Sequence, residues 1–220
     1  MRLRNESFLY NDYMKYVIYD FNGTILDDVD VCIEAENRTI EHFHLNRPPL
    51  SREEYLKLFT FPVKHYYELV GFDWNVNSYE EVGQYWFSWY RALRNEYRVF
   101  DGVTDILEDN HKKGLKNILL SASSLVELRK QLEELSIAEY FDEVLGIDNI
   151  YAGSKIEIAL KWIEDKDPGE CVMIGDTLHD LETANAMGIS CILVANGHQD
   201  RQTLSEHCDR VVDDIREVRL

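Results

Sequence analysis

Positive charge is scarce in this 220-residue chain: 23 Lys and Arg stand against 41 Asp and Glu, a formal net charge of -18. That balance sets the chain against a nucleic-acid backbone or an anionic membrane as partner. It also means that a phosphate-bearing ligand must find local positive charge, from a metal ion or from one placed lysine. Cysteine is sparse: Cys32, Cys171, Cys191 and Cys208 lie far apart with no Cys-x-x-Cys pair. That is the pattern of core thiols in a reducing cytosol, not of a disulfide framework or a thiolate metal site. No run of about 18 apolar residues is present, so no membrane-spanning helix is expected. The polar start, MRLRNESFLYNDYMKY, lacks the apolar stretch of a secretory signal, and a cytoplasmic protein is expected. Low-complexity tracts and internal repeats are also missing, which leaves one large domain, or a domain carrying an insertion.

Hydrophobic residues make up 45% of the chain, enough for a packed core, and their pattern changes character twice. Tyr16 to Tyr19, Asn117 to Leu120, Glu143 to Leu145, Cys171 to Ile174 and Cys191 to Val194 are short apolar runs separated by helical patterns. Such runs suit strands buried on both faces of a parallel sheet, so an α/β, doubly wound fold of five strands is expected. Between about Leu26 and Arg98 the pattern is helical only. Val29, Ile33, Ile40 and Phe43 mark one helix, ended by Asn46-Arg47-Pro48-Pro49. Ser51-Arg52-Glu53-Glu54 reads as a capping box, Pro62 to Val70 as a helix closed by Gly71, and Ser78 as the start of a fourth helix. The fourth carries Val82, Tyr85, Trp86, Trp89 and Leu93 at helical spacing, a stripe that reads as core. The division expected is an α/β core of residues 1–26 and 99–220, interrupted by a helical cap of residues 27–98.

The chemistry gathers at strand ends. Asp20 closes the first strand in Val17-Ile18-Tyr19-Asp20-Phe21-Asn22-Gly23-Thr24, Ser121 closes the second, and Asp176 follows the fourth in Gly175-Asp176-Thr177-Leu178-His179-Asp180. Ligands of open α/β sheets bind beyond the carboxyl ends of strands, so these side chains share one rim. Asp180 lies one helical turn past Asp176, and Lys155 opens a helix between the third and fourth strands. Taken singly, Asp180 reads equally as a helix-start charge, Ser121 as a helix cap, Lys155 as a solvated lysine and His179 as a polar surface residue. Taken together, three carboxylates and a lysine on one rim suit magnesium and phosphate.

These motifs resemble those of the haloacid dehalogenase superfamily, in its phosphoglycolate phosphatase-like and β-phosphoglucomutase-like branch. The matches run in order over nearly the whole chain: Asp20-x-Asn22-Gly23-Thr24, Ser121, Lys155 and Gly175-Asp176-Thr177-x-x-Asp180, with the helical insertion after the first motif. The resemblance implies a Rossmann-like core and Mg²⁺-dependent hydrolysis of a small phosphorylated metabolite. It implies Asp20 as nucleophile, and Asp20, the Asn22 carbonyl and Asp176 as metal ligands. Gly23, Thr24, Ser121, Ala122 and Lys155 would hold phosphate, and Asp180 would orient the groups behind them. Monomer and homodimer both remain open.

Asn22 departs from the pattern. In phosphatases of the family a second Asp stands there, protonates the leaving oxygen and activates the water. An Asn amide cannot titrate, and general acid–base help is worth roughly 10²–10⁴-fold, about 3–5 kcal/mol. A slowed phosphatase is therefore expected. The alternatives are a phosphate-binding or regulatory protein without turnover, or a phosphonatase using Lys57 or Lys64 as a Schiff base. Substrate choice is expected from the cap, with Lys64, His65, Tyr66 and Arg94 as its polar candidates.

Overall fold

The computed structural model describes residues 14–147 and 154–220. Most of the polar start, and Ala152-Gly153 just ahead of Lys155, fall outside the described residues.

Strand β1 (Tyr16–Tyr19) forms the centre of a six-stranded sheet with β4 (Lys116–Ser124), β5 (Glu143–Ile147), β6 (Cys171–Gly175), β7 (Ser190–Val194) and β8 (Val211–Val212). The order is β5-β4-β1-β6-β7-β8, and every neighbouring pair is parallel. Val17, Ile18 and Tyr19 are fully buried, as an apolar run without alternation requires when helices cover both faces. The chain leaves β1 for β4 and β5, then returns to β1's other side through β6. Strand order reverses at β1, and the crevice this opens at the carboxyl ends is where such sheets hold ligands.

Helices α5 (Val103–Lys112), α6 (Leu125–Glu134), α7 (Lys155–Ile163), α8 (Leu178–Met187) and α9 (Arg201–Ser205) belong to this α/β part. The sixth strand is the difference from the five expected. Its two valines sit between Arg210 and Asp213, too short a run to register as a pattern, yet they pair with Leu193 and Val194.

Between β1 and α5 the chain forms α1 (Val29–His42), α2 (Arg52–Leu58), α3 (Val63–Val70) and α4 (Tyr79–Ala92). The capping serines act as the sequence implies: Ser51 Oγ accepts from the Glu54 amide at 3.2 Å and Ser78 Oγ from the Glu81 amide at 3.4 Å. Gly71 ends α3 with φ of 116°, which a side chain would oppose. The two crossings into and out of these helices pair as a ribbon, β2 (Leu26–Asp27) antiparallel to β3 (Arg98–Val99), with an Arg98–Asp27 ion pair at 3.3 Å. Of the α4 stripe, Val82 is fully buried and Trp86, Trp89 and Leu93 pack on the core, but Trp86 also faces a cavity, beside Phe87 and Tyr90 of the same helix. The core reading thus holds for part of the stripe only.

Candidate active site

Asp20 follows β1 directly, and its amide donates to the Ile174 carbonyl of β6, which fixes the residue at the reversal point. Lys155, the first residue of α7, reaches it: Nζ donates to Asp20 Oδ1 and, at 2.6 Å, to Asp180 Oδ1. The lysine is 2% exposed, so the solvated-lysine reading is overturned by two buried carboxylates that need its charge. Asp180 is tied on its other oxygen too, accepting from the Asp176 and Thr177 amides and the Thr177 hydroxyl. It does cap α8, and it also aims Lys155.

Asp176 is completely buried. Its Oδ1 accepts from Thr24 Oγ1 at 2.7 Å and its Oδ2 from the His198 amide at 2.7 Å. Carboxylate oxygens of Asp20, Asp176 and Asp180 lie within 4.8 Å of one another. Burial pushes the Asp20 carboxyl well up, against the pull of Lys155 and with repulsion from Asp180 and Asp176. Burial raises Asp176 as well. Burial also opposes ionised Asp180, but Lys155 and Thr177 outweigh it and hold that carboxyl low. Three carboxylates around one ammonium leave a deficit of positive charge, in a nest of hard oxygen donors suited to a divalent cation. The backbone closes on that nest: a Cβ at Gly23 or at Gly197 would lie 2.2 Å from Asp176 Oδ2.

Gly23 takes φ of 74°, and its amide donates to the Leu26 carbonyl at 2.8 Å and to Asp28 Oδ1 at 3.1 Å. The Thr24 amide turns to the Phe21 carbonyl. The amides of Gly23 and Thr24, two residues that the resemblance assigns to phosphate, are therefore engaged within the loop, because so tight a turn satisfies its own donors. In this structure Gly23 and Thr24 position Asp176. Ser121 is 2% exposed, and its Oγ accepts from the Ser123 amide at 3.1 Å. It does not cap α6, which begins four residues later. Ser121 and Ala122 both line the cavity.

That cavity, of about 1050 Å³, has Asp20, Asn22 and Lys155 at one end and Tyr55, Tyr66 and Trp86 from the helical insertion around it. His179 belongs to its wall, stacked on Phe61 at 4.6 Å, and is not a simple surface residue. Of the four cap candidates, Tyr66 and Arg94 line it, with Arg94 also paired to Glu134 at 3.5 Å. Lys64 lies exposed over Trp74 and Tyr79, and His65 pairs with Glu68, both outside the lining. Lys57 is exposed and paired with Glu53 at 2.7 Å. Neither phosphonatase lysine reaches the site, because helical phase turns both to solvent.

The sequence assigns no role to Asp28 and His198, yet they form the inner wall. Asp28 is 1% exposed; its Oδ2 accepts from Asn22 Nδ2 at 2.7 Å and Tyr90 OH at 2.8 Å, and its Oδ1 faces His198 Nε2 at 3.2 Å. His198 Nδ1 meets Tyr55 OH at 2.9 Å. Burial works against the imidazolium, but Asp28 outweighs it and lifts His198 to about 9. Burial likewise opposes ionised Asp28, and His198, Asn22 and Tyr90 hold its carboxyl below the usual range. The available signals were the Asp27-Asp28 doublet after a sharp turn and a His just beyond the β7 rim.

A family model described as haloacid dehalogenase-like hydrolase matches residues 17–194. A phosphoglycolate phosphatase of Chromobacterium violaceum is 25% identical over 217 residues, 94% of this chain and 95% of that protein. A 5'-nucleotidase of Pseudomonas aeruginosa is 24% identical over 196 residues, 87% of each. A solved haloacid dehalogenase-like family protein from Streptococcus pneumoniae superposes with a TM-score of 0.77 at 19% identity, covering 92% of this chain and 95% of that one. Sheet order, motif order and these matches agree, and the chain belongs to the haloacid dehalogenase-like hydrolases, on their phosphoglycolate phosphatase-like branch.

Proposed function

We propose that the protein is a magnesium-dependent phosphatase of a small phosphorylated metabolite, working through an aspartyl-phosphate on Asp20 and slowed by Asn22. The observation that carries this reading is the position of Asp20, held by the buried Lys155 at the reversal point of the sheet and open to the cavity. Phosphatases among its relatives, at full-length coverage, add to it.

In this reading an Asp20 oxygen attacks phosphorus in line, forming the O–P bond as the ester oxygen leaves with its electron pair. Lys155 orients Asp20 and balances charge on the phosphoryl oxygens, and Ser121 hydrogen-bonds one of them. Water then attacks the aspartyl-phosphate, releasing phosphate and restoring Asp20. Asp20, the Asn22 carbonyl and Asp176 would hold Mg²⁺, which screens the repulsion between carboxylate and phosphate. Asp180 stays behind them: the Lys155 ammonium holds its Oδ1 and three donors crowd its Oδ2, whereas each Asp176 oxygen accepts a single bond. At Asn22 no proton can be given or taken, so activated esters, whose leaving groups need little protonation, should turn over best. Residues 27–98 would act as the cap. Four free thiols fit the cytoplasmic location expected from the sequence.

One observation favours a second reading, binding without turnover: the Asn22 side chain is anchored by Asp28 and Tyr90 as a structural element. Turnover of p-nitrophenyl phosphate with Mg²⁺, lost in Asp20→Asn, supports the phosphatase. Phosphate binding without turnover in the wild type selects the second reading.

A further inference from the structure

Helix α1 presents three cavity-lining residues at four-residue spacing: Asp28 at its cap, then Cys32 and Glu36. They share one face, and at 1.5 Å per residue Glu36 lies roughly 12 Å along the helix from Asp28. The two acids at the ends of this row differ in one respect. Asp28 has a cation, His198, and hydrogen bonds from Asn22 and Tyr90. Glu36 is 1% exposed, and both of its carboxyl oxygens are buried without a hydrogen-bond partner among the described residues. Tyr66, 3% exposed, lines the same cavity, and its buried hydroxyl also has no hydrogen-bond partner among the described residues.

A buried, unpaired carboxyl is costly, and a folded protein keeps one where something else completes it. Burial pushes Glu36 up to about 8, with Arg47 the opposing charge. Arg47 does not complete it: its guanidinium is held by Glu54 at 2.6 Å and by the Val70 carbonyl at 2.8 Å. Around the acid stand Tyr55, Tyr66 and Tyr67, all in the cavity wall. A buried acid among aromatic rings is a setting for an ammonium group, whose charge would favour the ionised carboxylate and whose N–H donors match both orphan oxygens. The same cavity is lined by Asp20 and Lys155, where the proposed reaction places phosphate. A ligand with phosphate at Asp20 and a cationic nitrogen at Glu36 would fill both places.

We propose that Glu36 and Tyr66 form a subsite for a cationic nitrogen, so that the substrate is a phosphate monoester whose leaving group carries an amine. The phosphate end of this assignment rests on the reading of Asp20 and Lys155 given above. The nitrogen end stands on the orphaned oxygens alone.

A homologous series tests it: ω-aminoalkyl phosphates of two to about eight carbons, with n-alkyl and ω-hydroxyalkyl phosphates of the same lengths. Pairing with a charged, buried partner predicts kcat/KM favouring the amine about tenfold or more at one optimal length. In Glu36→Gln, verified as folded by its melting curve, the amine-to-alkyl ratio falls to near one. Lys64→Ala, exposed outside the cavity, keeps the wild-type ratio. Binding to Asp20→Asn with Mg²⁺, measured calorimetrically, gives the same comparison without turnover. Hydrolysis with no amine preference, a hydroxyl preference, or a preference that survives Glu36→Gln overturns the subsite and leaves the phosphatase reading standing. Absent turnover with amine-selective, Glu36-dependent binding does the reverse. Binding of none of the series overturns the subsite.

Discussion

The Asn22 amide nitrogen donates to Asp28 Oδ2 across 2.7 Å, so the residue at which the proposed mechanism lacks a titratable group is the one that Asp28 holds. A carboxylate at position 22 would face the Asp28 carboxylate at hydrogen-bond distance, two like charges in a buried wall. Asn22 and Asp28 are therefore one unit, in which an amide and a carboxylate share a site that admits a single negative charge.

The Asp28–His198 pair makes stability depend on pH. His198 has its folded value raised from about 6.5 to about 9, so its contribution is fully present below about pH 6.5 and is lost as pH rises through 9. Asp28, held low, contributes above the ordinary carboxylate range and loses that only in acid. With Mg²⁺ present, the unfolding free energy should fall by up to about 3 kcal/mol between pH 6.5 and 9. Denaturant titrations across that window check it, and Asp28→Asn should flatten the slope.

Without a divalent ion, Asp20 and Asp176 add a second dependence. Both carboxyls are raised by burial, so the folded state binds their protons more tightly than the unfolded chain does. Stability should drop as pH rises from about 4 through about 6 for Asp176 and about 8 for Asp20, and Mg²⁺ should restore it. At a hundredfold excess over its dissociation constant the ion would add about 2.7 kcal/mol. Thermal melts with and without Mg²⁺ measure this. Asp176→Ala should abolish the Mg²⁺-dependent shift, and an unchanged shift would place the ion elsewhere.

Lys155→Met leaves Asp20 and Asp180 buried without their shared cation. Removing one partner of such a pair costs about 3–5 kcal/mol. Activity should fall by roughly 10²–10³-fold, since the charge facing the phosphoryl oxygens goes with it. Urea denaturation and steady-state rates check the two losses separately.

Residues 27–98 are expected to move as a body on the β2–β3 ribbon. In this structure they are tied down: Tyr55 OH meets His198 Nδ1 at 2.9 Å, Gln199 Nε2 donates to the Phe59 carbonyl at 2.8 Å, and Phe61 stacks on His179. Gln199→Ala should loosen the closed form. Solution scattering with and without a phosphate analogue should show a larger radius for the free variant, and identical curves would count against hinge motion.

The sheet and the inserted helices were legible because buried parallel strands are unbroken apolar runs and the helix starts carry capping serines. Strand β8 was not, since two valines make no pattern until a neighbouring strand's edge recruits them. Asp20, Asp176 and Lys155 were legible as strand-end and helix-start residues of one rim. Asp28 and His198 were not: they meet across 170 residues of chain, and only folding pairs them. Glu36 reads like Glu34 and Glu41 on the same helix, yet those two are exposed and Glu36 is buried at the cavity wall. Helical phase separates them, but a sequence does not say where a cavity will be.

The most direct measurement is kcat on p-nitrophenyl phosphate for wild type, Asn22→Asp, the exchange variant Asn22→Asp/Asp28→Asn, and Asp20→Asn. Asn22-Gly23 is open to deamidation, since a Gly amide can attack the preceding Asn side chain, so peptide mass must first establish that Asn22 is intact. The exchange variant moves the single carboxylate to the position from which a proton can be transferred, and should exceed wild type by about 10²–10⁴-fold. Asn22→Asp alone should gain less, because its new charge meets Asp28, and Asp20→Asn should be inactive. An exchange variant that folds, binds Mg²⁺ and turns over no faster than wild type would contradict the slowed-phosphatase account.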